Sequence, residues 1–234
     1  MSELLGTCLA ALQLLFSGDK ELWTIIAVSF QVSLVAIVIA AVPGILIGFL
    51  LAMKEFPGRW VVVAIFNALM AVPTVVIGLV LYLMFSRSGP LGDLQLLFTQ
   101  PAMIIGQVVL CLPIIVCMSH AAFQSVDLRA WETSLTLGAS KARATWTLMQ
   151  EARFALLAAI LTSFGRIIAE VGCSMMIGGN IMNFTRNIPT AIALETHKGE
   201  FAQGVALGMV LLVLALALNI GLASIRGKGQ LKGN

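Results

Sequence analysis

The feature that most constrains this chain is an apolar stretch, residues 22–53, that contains no Asp, Glu, Lys or Arg. An α-helix needs about 20 apolar residues to cross the roughly 30 Å hydrocarbon core of a bilayer, so this stretch is long enough to span it with tilt. Over the whole chain only 11% of residues are charged, whereas soluble domains carry roughly 25%. Since lipid offers the backbone no hydrogen bonds, the predicted fold class is an all-α membrane protein.

Further apolar runs predict a polytopic bundle of five transmembrane helices. The predicted spans are residues 22–53, 60–86, 101–122, 154–177 and 201–225. Pro43, Pro73 and Pro113 lie inside three of them, and Gly44 and Gly48 have the spacing of a close helix contact. Basic residues concentrate at residues 54–59, 127–153 and the C-terminus, which predicts that these parts are cytoplasmic and that the N-terminus is outside.

The same criteria divide the chain into three parts. Residues 1–21 are predicted to be an interfacial segment, because apolar positions keep near-helical spacing over a length too short to span. Residues 22–225 form the transmembrane domain, and residues 226–234 form a cytoplasmic tail. The N-terminus shows neither the basic region nor the small-residue cleavage site of a secretory signal.

Several function classes are disfavoured by what the sequence contains. The net charge is +3 and the basic residues are scattered, so no nucleic-acid partner is expected. The four cysteines and two histidines do not have metal-ligand spacing, so no metal site is expected. The sequence contains no Gly-x-x-x-x-Gly-Lys-Ser/Thr loop. We therefore expect neither a catalytic site nor a bound cofactor in this chain.

One long polar segment, residues 127–150, interrupts the apolar chain, and its apolar residues recur at helical spacing in two runs. These are Leu128, Trp131 and Leu135, and then Ala139, Ala142, Trp146 and Met149. Gly138 can take the left-handed conformation that ends a helix, and Ser140 is placed to cap the next one. A bent pair of helices fits a groove on a partner protein; an amphipathic connector on the membrane surface explains the periodicity equally well.

The spacing within this segment resembles the EAA loop of ABC importer permeases, in which Glu-Ala-Ala is followed three residues later by Gly. Here the matching positions are Glu132, Thr133, Ser134 and Gly138, although the later Ile-x-Leu-Pro of that family is replaced by Leu-Met-Gln-Glu at residues 148–151. The resemblance implies that the segment docks into a cytoplasmic ATPase subunit. It assigns the coupling contact to Glu132, Thr133, Ser134, Gly138, Ala139 and Ser140.

Two charged residues, Arg166 and Glu170, lie within the predicted fourth span and are four residues apart, so they can pair on one helix face. A charge at bilayer depth costs roughly 2.5–3.5 kcal/mol on insertion scales, and such residues often mark a substrate route. A structural ion pair that fixes the fourth span against its neighbours is the other interpretation.

A second resemblance covers most of the chain. Residues 165–181, GRIIAEVGCSMMIGGNI, are similar to a Gly-Arg-x-x-x-Glu-x-Gly run of molybdate and tungstate permeases, as are VPTVVIGL at residues 72–79 and SGPLG at residues 88–92. Thr185, Arg186 and Asn187, followed by TAIALETHKGEF, resemble the tungstate branch in particular. This resemblance makes Arg166, Glu170 and Gly172 candidates for the substrate route, and Thr185, Arg186 and Asn187 candidates for contact with a binding protein.

The resemblances together imply the type I permease subunit of an importer for an oxyanion, most simply tungstate, with molybdate or sulfate as alternatives. The implied assembly is a homodimer in the lipid of a bacterial or archaeal plasma membrane. Cytoplasmic ABC ATPase subunits, which bind ATP and magnesium, lie below it, and an external oxyanion-binding protein lies above. A secondary carrier driven by an ion gradient fits the broken helices, but the odd number of spans and the absence of an internal repeat disfavour it. A non-transporting scaffold makes no use of the intramembrane charges.

Overall fold

The computed structural model describes residues 6, 9–13, 16–127 and 129–230, and in these ranges it contains helices and no strand. The helices in chain order are α1 (Lys20–Met53), α2 (Arg59–Ala71), α3 (Thr74–Phe85), α4 (Gln100–Gln124), α5 (Arg129–Thr136), α6 (Lys141–Ile168), α7 (Gly172–Gly178), α8 (Ile188–Lys198) and α9 (Phe201–Gln230). A 3₁₀ turn, Gly92–Leu94, lies between α3 and α4.

Five membrane crossings can be assembled from these helices. The helices α1, α4 and α9 are each long and apolar enough to cross a bilayer. The pairs α2–α3 and α6–α7 pass the same criterion when each is taken together, and they are bent by 96° and 61°. The predicted break at Pro73 is confirmed, since α2 ends at Ala71 and α3 begins at Thr74. By contrast, α1 and α4 continue through Pro43 and Pro113.

The centre of the bundle is the contact between α1 and α4. A Cβ atom on Gly44 would lie 2.7 Å from Ile115 Cγ2, and one on Gly48 would lie 2.7 Å from Ser119 Cβ and 2.9 Å from the Val116 carbonyl oxygen. Only glycine allows the two helix backbones to approach this closely. The close contact predicted from this glycine pair is therefore confirmed.

One predicted element is wrong, and two predicted boundaries do not coincide with helix ends. The second helix of the polar segment and the fourth span are one continuous helix, α6, because no Gly or Pro separates residue 150 from residue 154. The fourth span does not continue as one helix to residue 177, since it breaks after Ile168. The helix α9 extends to Gln230, past residue 225, and the division between the fifth span and the cytoplasmic tail stays a prediction.

Part of the N-terminal segment lies outside the described residues. In the described part, residues 9–13 are helical, and Ala11 is buried in a cluster with Leu22, Ile188 and Leu207. Residues 231–234 of the predicted tail also lie outside the described residues.

Candidate functional site

The polar segment folds into an elbow, formed by α5, the turn at residues 137–140, and the first turns of α6. Gly138 has φ +84°, and its N–H donates to the Leu135 carbonyl oxygen at 3.0 Å, while the Ala139 N–H donates to the Ser134 carbonyl oxygen at 3.0 Å. These two bonds define a Schellman motif, which satisfies carbonyl groups left unpaired at a helix end. The predicted left-handed glycine is confirmed.

The second arm of the elbow begins at the predicted cap. The Ser140 hydroxyl oxygen accepts a hydrogen bond from the Arg143 N–H at 3.4 Å, as an N-cap residue does. The backbone therefore satisfies the end of α5, and the Ser140 side chain satisfies the beginning of α6.

The inner side of the elbow packs against the ends of two membrane helices. Trp131 and Leu148 join a cluster that includes Phe49 from α1 and Phe123 from α4. The Phe49 and Phe123 rings meet edge to face, with 5.3 Å between their centroids. The elbow is therefore in direct apolar contact with the adjoining ends of α1 and α4.

The outer side of the elbow carries two large apolar side chains that this chain leaves uncovered, among exposed polar residues. The side chain of Leu137 is 82% exposed and that of Trp146 is 62% exposed, and Glu132 is also exposed. The buried stripe of α6 is instead Ala144, Leu148 and Ala152. Of the predicted apolar positions, Leu128 lies outside the described residues and Trp131 faces inward, so the uncovered surface is centred on Leu137 and Trp146.

The intramembrane charges form a pair at the far end of the same helix. Arg166 Nη1 donates to Glu170 Oε2 at 2.9 Å; the Glu170 side chain is 4% exposed and that of Arg166 is 53% exposed. The prediction that both residues lie on one helix is wrong, because α6 ends at Ile168 and Glu170 lies in the break. There its Oε1 accepts from the Cys173 N–H at 3.2 Å in the first turn of α7.

The two broken helices meet at their breaks. A Cβ atom on Gly172 would lie 2.6 Å from Val75 Cγ2, 3.3 Å from Thr74 Oγ1 and 3.4 Å from Glu170 Oε1. One turn further along, a Cβ atom on Gly78 would lie 2.9 Å from the Cys173 Cα. The beginnings of α3 and α7 therefore lie side by side, next to the charge pair, and Gly172 is required for this packing.

The three outer-loop residues proposed to contact a binding protein are used mainly inside the chain. Thr185 is fully buried, and its hydroxyl donates to the Gly178 carbonyl oxygen at 2.5 Å. Asn187 is 1% exposed and forms a capping box with Thr190 at the start of α8. Arg186 Nη1 pairs with Glu21 Oε1 at 3.0 Å, and its side chain is 11% exposed. The side chains of Thr185 and Asn187 are thus unavailable at the surface, and contact by the surrounding loop stays a prediction.

Sequence reasoning missed two residues of this arrangement, Thr74 and Gly78. The available signal was a hydroxyl residue directly after Pro73, followed four residues later by a glycine, which is the spacing of a close helix contact. In the ranges that the structure describes, no group of three or more His, Cys, Asp or Glu side chains is placed to hold a metal ion.

Comparisons with protein families and with individual proteins both identify membrane components of transport systems as similar to this chain. A family described as "Binding-protein-dependent transport system inner membrane component" matches residues 44–225. A "Probable anion ABC transporter permease protein" of Haloferax volcanii is 40% identical over 210 residues, which cover 86% of this chain and 90% of that protein.

Two proteins described as "Tungstate uptake system permease protein TupB" are similar over comparable lengths. The one from Campylobacter jejuni is 40% identical and covers 89% of this chain and 87% of its own length. The one from Peptoclostridium acidaminophilum is 36% identical and covers 93% of this chain and 95% of its own length. Sulfate transport system permease proteins match at 22% to 28% identity.

Proposed function

The chain belongs to the family of binding-protein-dependent transport system inner membrane components, and we propose that it is the permease subunit of an ATP-driven importer for tungstate. It is a multi-pass protein of a prokaryotic inner membrane, as its family and its apolar helices require. The choice of tungstate is supported by the identity of 36% to 40% to two tungstate permeases, against at most 28% to sulfate permeases.

The observation that carries this proposal is the elbow and its connection to the charge pair. The helix α6 begins at the Gly138 turn and runs without interruption for 28 residues, so it ends beside Arg166. At about 1.5 Å per residue this is a rod of about 42 Å. A partner that pushes on the elbow therefore moves the intramembrane break directly, with no flexible joint in between.

The partners of the permease are proposed from its family and from the elbow. Cytoplasmic ABC ATPase subunits, which hold ATP and magnesium, contact the elbow at Glu132, Thr133, Ser134, Gly138, Ala139 and Ser140. The uncovered Leu137 and Trp146 side chains supply apolar contact for that docking. An external binding protein delivers the anion to the opposite end.

The proposed substrate route passes the two helix breaks. Half of the Arg166 side chain is exposed in the single chain, and such a charge is not stable against hydrocarbon. This face therefore borders a water-filled path between two copies of the chain. Arg166 uses one guanidinium nitrogen for Glu170, which leaves further N–H donors for an anion.

Glu170 and Gly172 have supporting roles in this route. Glu170 holds both the guanidinium of Arg166 and the first turn of α7, so it fixes the charge relative to the break. Gly172 allows α3 to approach α7. Helix N-terminal ends that meet at mid-membrane depth are a recurrent way to accommodate anions in transporters.

Reconstitution of the chain with its cognate ATPase and binding protein in proteoliposomes tests this function. We expect tungstate uptake that requires ATP hydrolysis, with molybdate and sulfate as weaker competitors. Anion flux by the isolated chain, driven by an ion gradient, would refute the importer. ATP-driven uptake of sulfate in preference to tungstate would refute the substrate alone.

A further inference from the structure

A separate open cleft, lined by apolar and polar side chains, lies at the same end of the molecule as the elbow. It is formed by the turn before α2, the first half of α2, and the last turns of α4, and it has a volume of about 780 Å³. The side chains with polar groups that line it are Glu55, Arg59, Trp60, Asn67, His120 and Gln124. None of these residues belongs to the elbow or to the intramembrane charge pair.

Arg59 is a cation without a counter-ion in this cleft. Among the side chains that the structure describes, no carboxylate oxygen lies within 4.0 Å of its guanidinium group, although Glu55 lines the same cleft. Its recorded hydrogen bond, from Nη2 to the Ala52 carbonyl oxygen, is 3.5 Å long. A guanidinium group has five N–H donors, so most of its hydrogen-bonding capacity is unused.

His120 also lines the cleft, but its ring does not offer a donor to it. The Nε2 atom is buried and has no hydrogen-bond partner among the described residues. The group available to a ligand in the cleft is therefore the guanidinium of Arg59.

We propose that this cleft binds a tetrahedral oxyanion, held by the Arg59 guanidinium, whose donors are largely unused within the chain. Arginine matches the geometry of such anions by donating two parallel hydrogen bonds. Glu55 opposes the binding and keeps it weak. Phe49 and Phe123 connect this end of α1 and α4 to the elbow. The proposed function places the elbow on the cytoplasmic side, and the placement of the cleft on that side rests on it.

The anion has two possible sources with the same chemistry. One is free tungstate that has reached the cytoplasm, and the other is the phosphate of an anionic lipid headgroup. Trp60 is 76% exposed at the rim of the cleft, and tryptophan is enriched at the headgroup level of membranes. Two binding experiments on the same variants separate these sources.

Both experiments use the full chain purified in a neutral detergent, without ATPase or binding protein. In the first, equilibrium binding of tungstate is measured. In the second, retention of phosphatidylglycerol is compared with that of phosphatidylcholine by native mass spectrometry. The test variants are Arg59→Gln and Glu55→Gln, and Lys54→Gln is the matched control, since it removes a positive charge from the same turn outside the cleft.

We expect Arg59→Gln to weaken binding about tenfold in one of the two experiments, as the loss of a charge-assisted hydrogen bond predicts. We expect Lys54→Gln to leave binding unchanged, because Lys54 does not line the cleft. Glu55→Gln should strengthen binding, because it removes a negative charge from the cleft. Glu55 is exposed, so this variant is expected to fold and tests the site even if Arg59→Gln does not fold.

Equal binding by Arg59→Gln and Lys54→Gln in both experiments would overturn the inference, as would unchanged binding by Glu55→Gln. A second result would also overturn the inference: tungstate binding is lost in Arg166→Gln and kept in Arg59→Gln, and lipid retention does not depend on Arg59. That result would leave the proposed importer function intact. Failure of the importer itself would appear instead as absent uptake by the reconstituted assembly, with Arg59-dependent binding unchanged.

Discussion

Replacement of Gly138 by alanine tests whether the shape of the elbow matters for transport. Gly138 has φ +84°, and a Cβ atom there would meet nothing within 4 Å, so the substitution introduces backbone strain and no clash. The left-handed conformation costs an L-residue roughly 1–2 kcal/mol. A change of this size alters a conformational ratio by about 5–30-fold, which favours alternative shapes of the turn over the native one.

Gly199 is a matched control for this substitution. It ends α8 at the opposite end of the molecule with φ +80° and open space around its Cβ position, and it has the same pair of hydrogen bonds. We expect Gly138→Ala to lower tungstate uptake per ATP hydrolysed, and Gly199→Ala to preserve that ratio, with similar losses of thermal stability. Gly138→Pro should uncouple the two activities more completely.

The assay is tungstate uptake and ATP hydrolysis measured in parallel on reconstituted transporter. Wild-type coupling in both Gly138→Ala and Gly138→Pro would refute the reasoning, because the turn would then be dispensable. Equal uncoupling by Gly199→Ala would also refute it, since strain anywhere in the chain would then produce the same defect.

Three further predictions concern the other parts of the site. Gly172→Ala should destabilise the detergent-purified chain by about 1–3 kcal/mol in thermal unfolding, since its Cβ would lie 2.6 Å from a side-chain carbon; Gly165→Ala, with 3.6 Å to its nearest atom, should not. Trp146→Ala should weaken ATPase association in pull-down assays and change the free energy of unfolding by less than about 0.5 kcal/mol. Trp131→Ala, on the inner side of the elbow, should lower the free energy of unfolding by about 2–3 kcal/mol. The reverse pattern would contradict the assignment of the inner and outer surfaces. Arg166→Gln should lower tungstate uptake while size-exclusion chromatography shows an intact assembly with basal ATPase activity; an unfolded variant would make the charge pair structural.

Local chemistry made the elbow predictable from sequence. A glycine that ends one helix and a serine that caps the next act through their own backbone neighbourhoods, so Gly138 and Ser140 could be assigned before any contact was known. The spans were predictable for a similar reason, because bilayer thickness fixes their length. The break at Pro73 followed from the missing N–H of proline.

The features that could not be predicted from the sequence depend on contacts between different elements of the fold. The break after Ile168 has no proline, and it is stabilised by Glu170, which accepts from the first turn of α7. The close approach of Gly172 to α3 joins residues far apart in the chain. Thr185 and Asn187 are polar, which favours contact with a binding protein, but their side chains satisfy backbone groups in a folded loop.

The most direct test of the account is the side of the membrane on which Leu137 lies and the protein that it contacts. A cysteine at this position, whose native side chain is 82% exposed, can be labelled with a membrane-impermeant reagent and compared with the parent chain. We expect labelling only from the cytoplasmic side, together with a disulfide cross-link to a cysteine placed in the docking groove of the ATPase. Labelling from the external side, or full reactivity with no cross-link in the assembled transporter, would contradict the account.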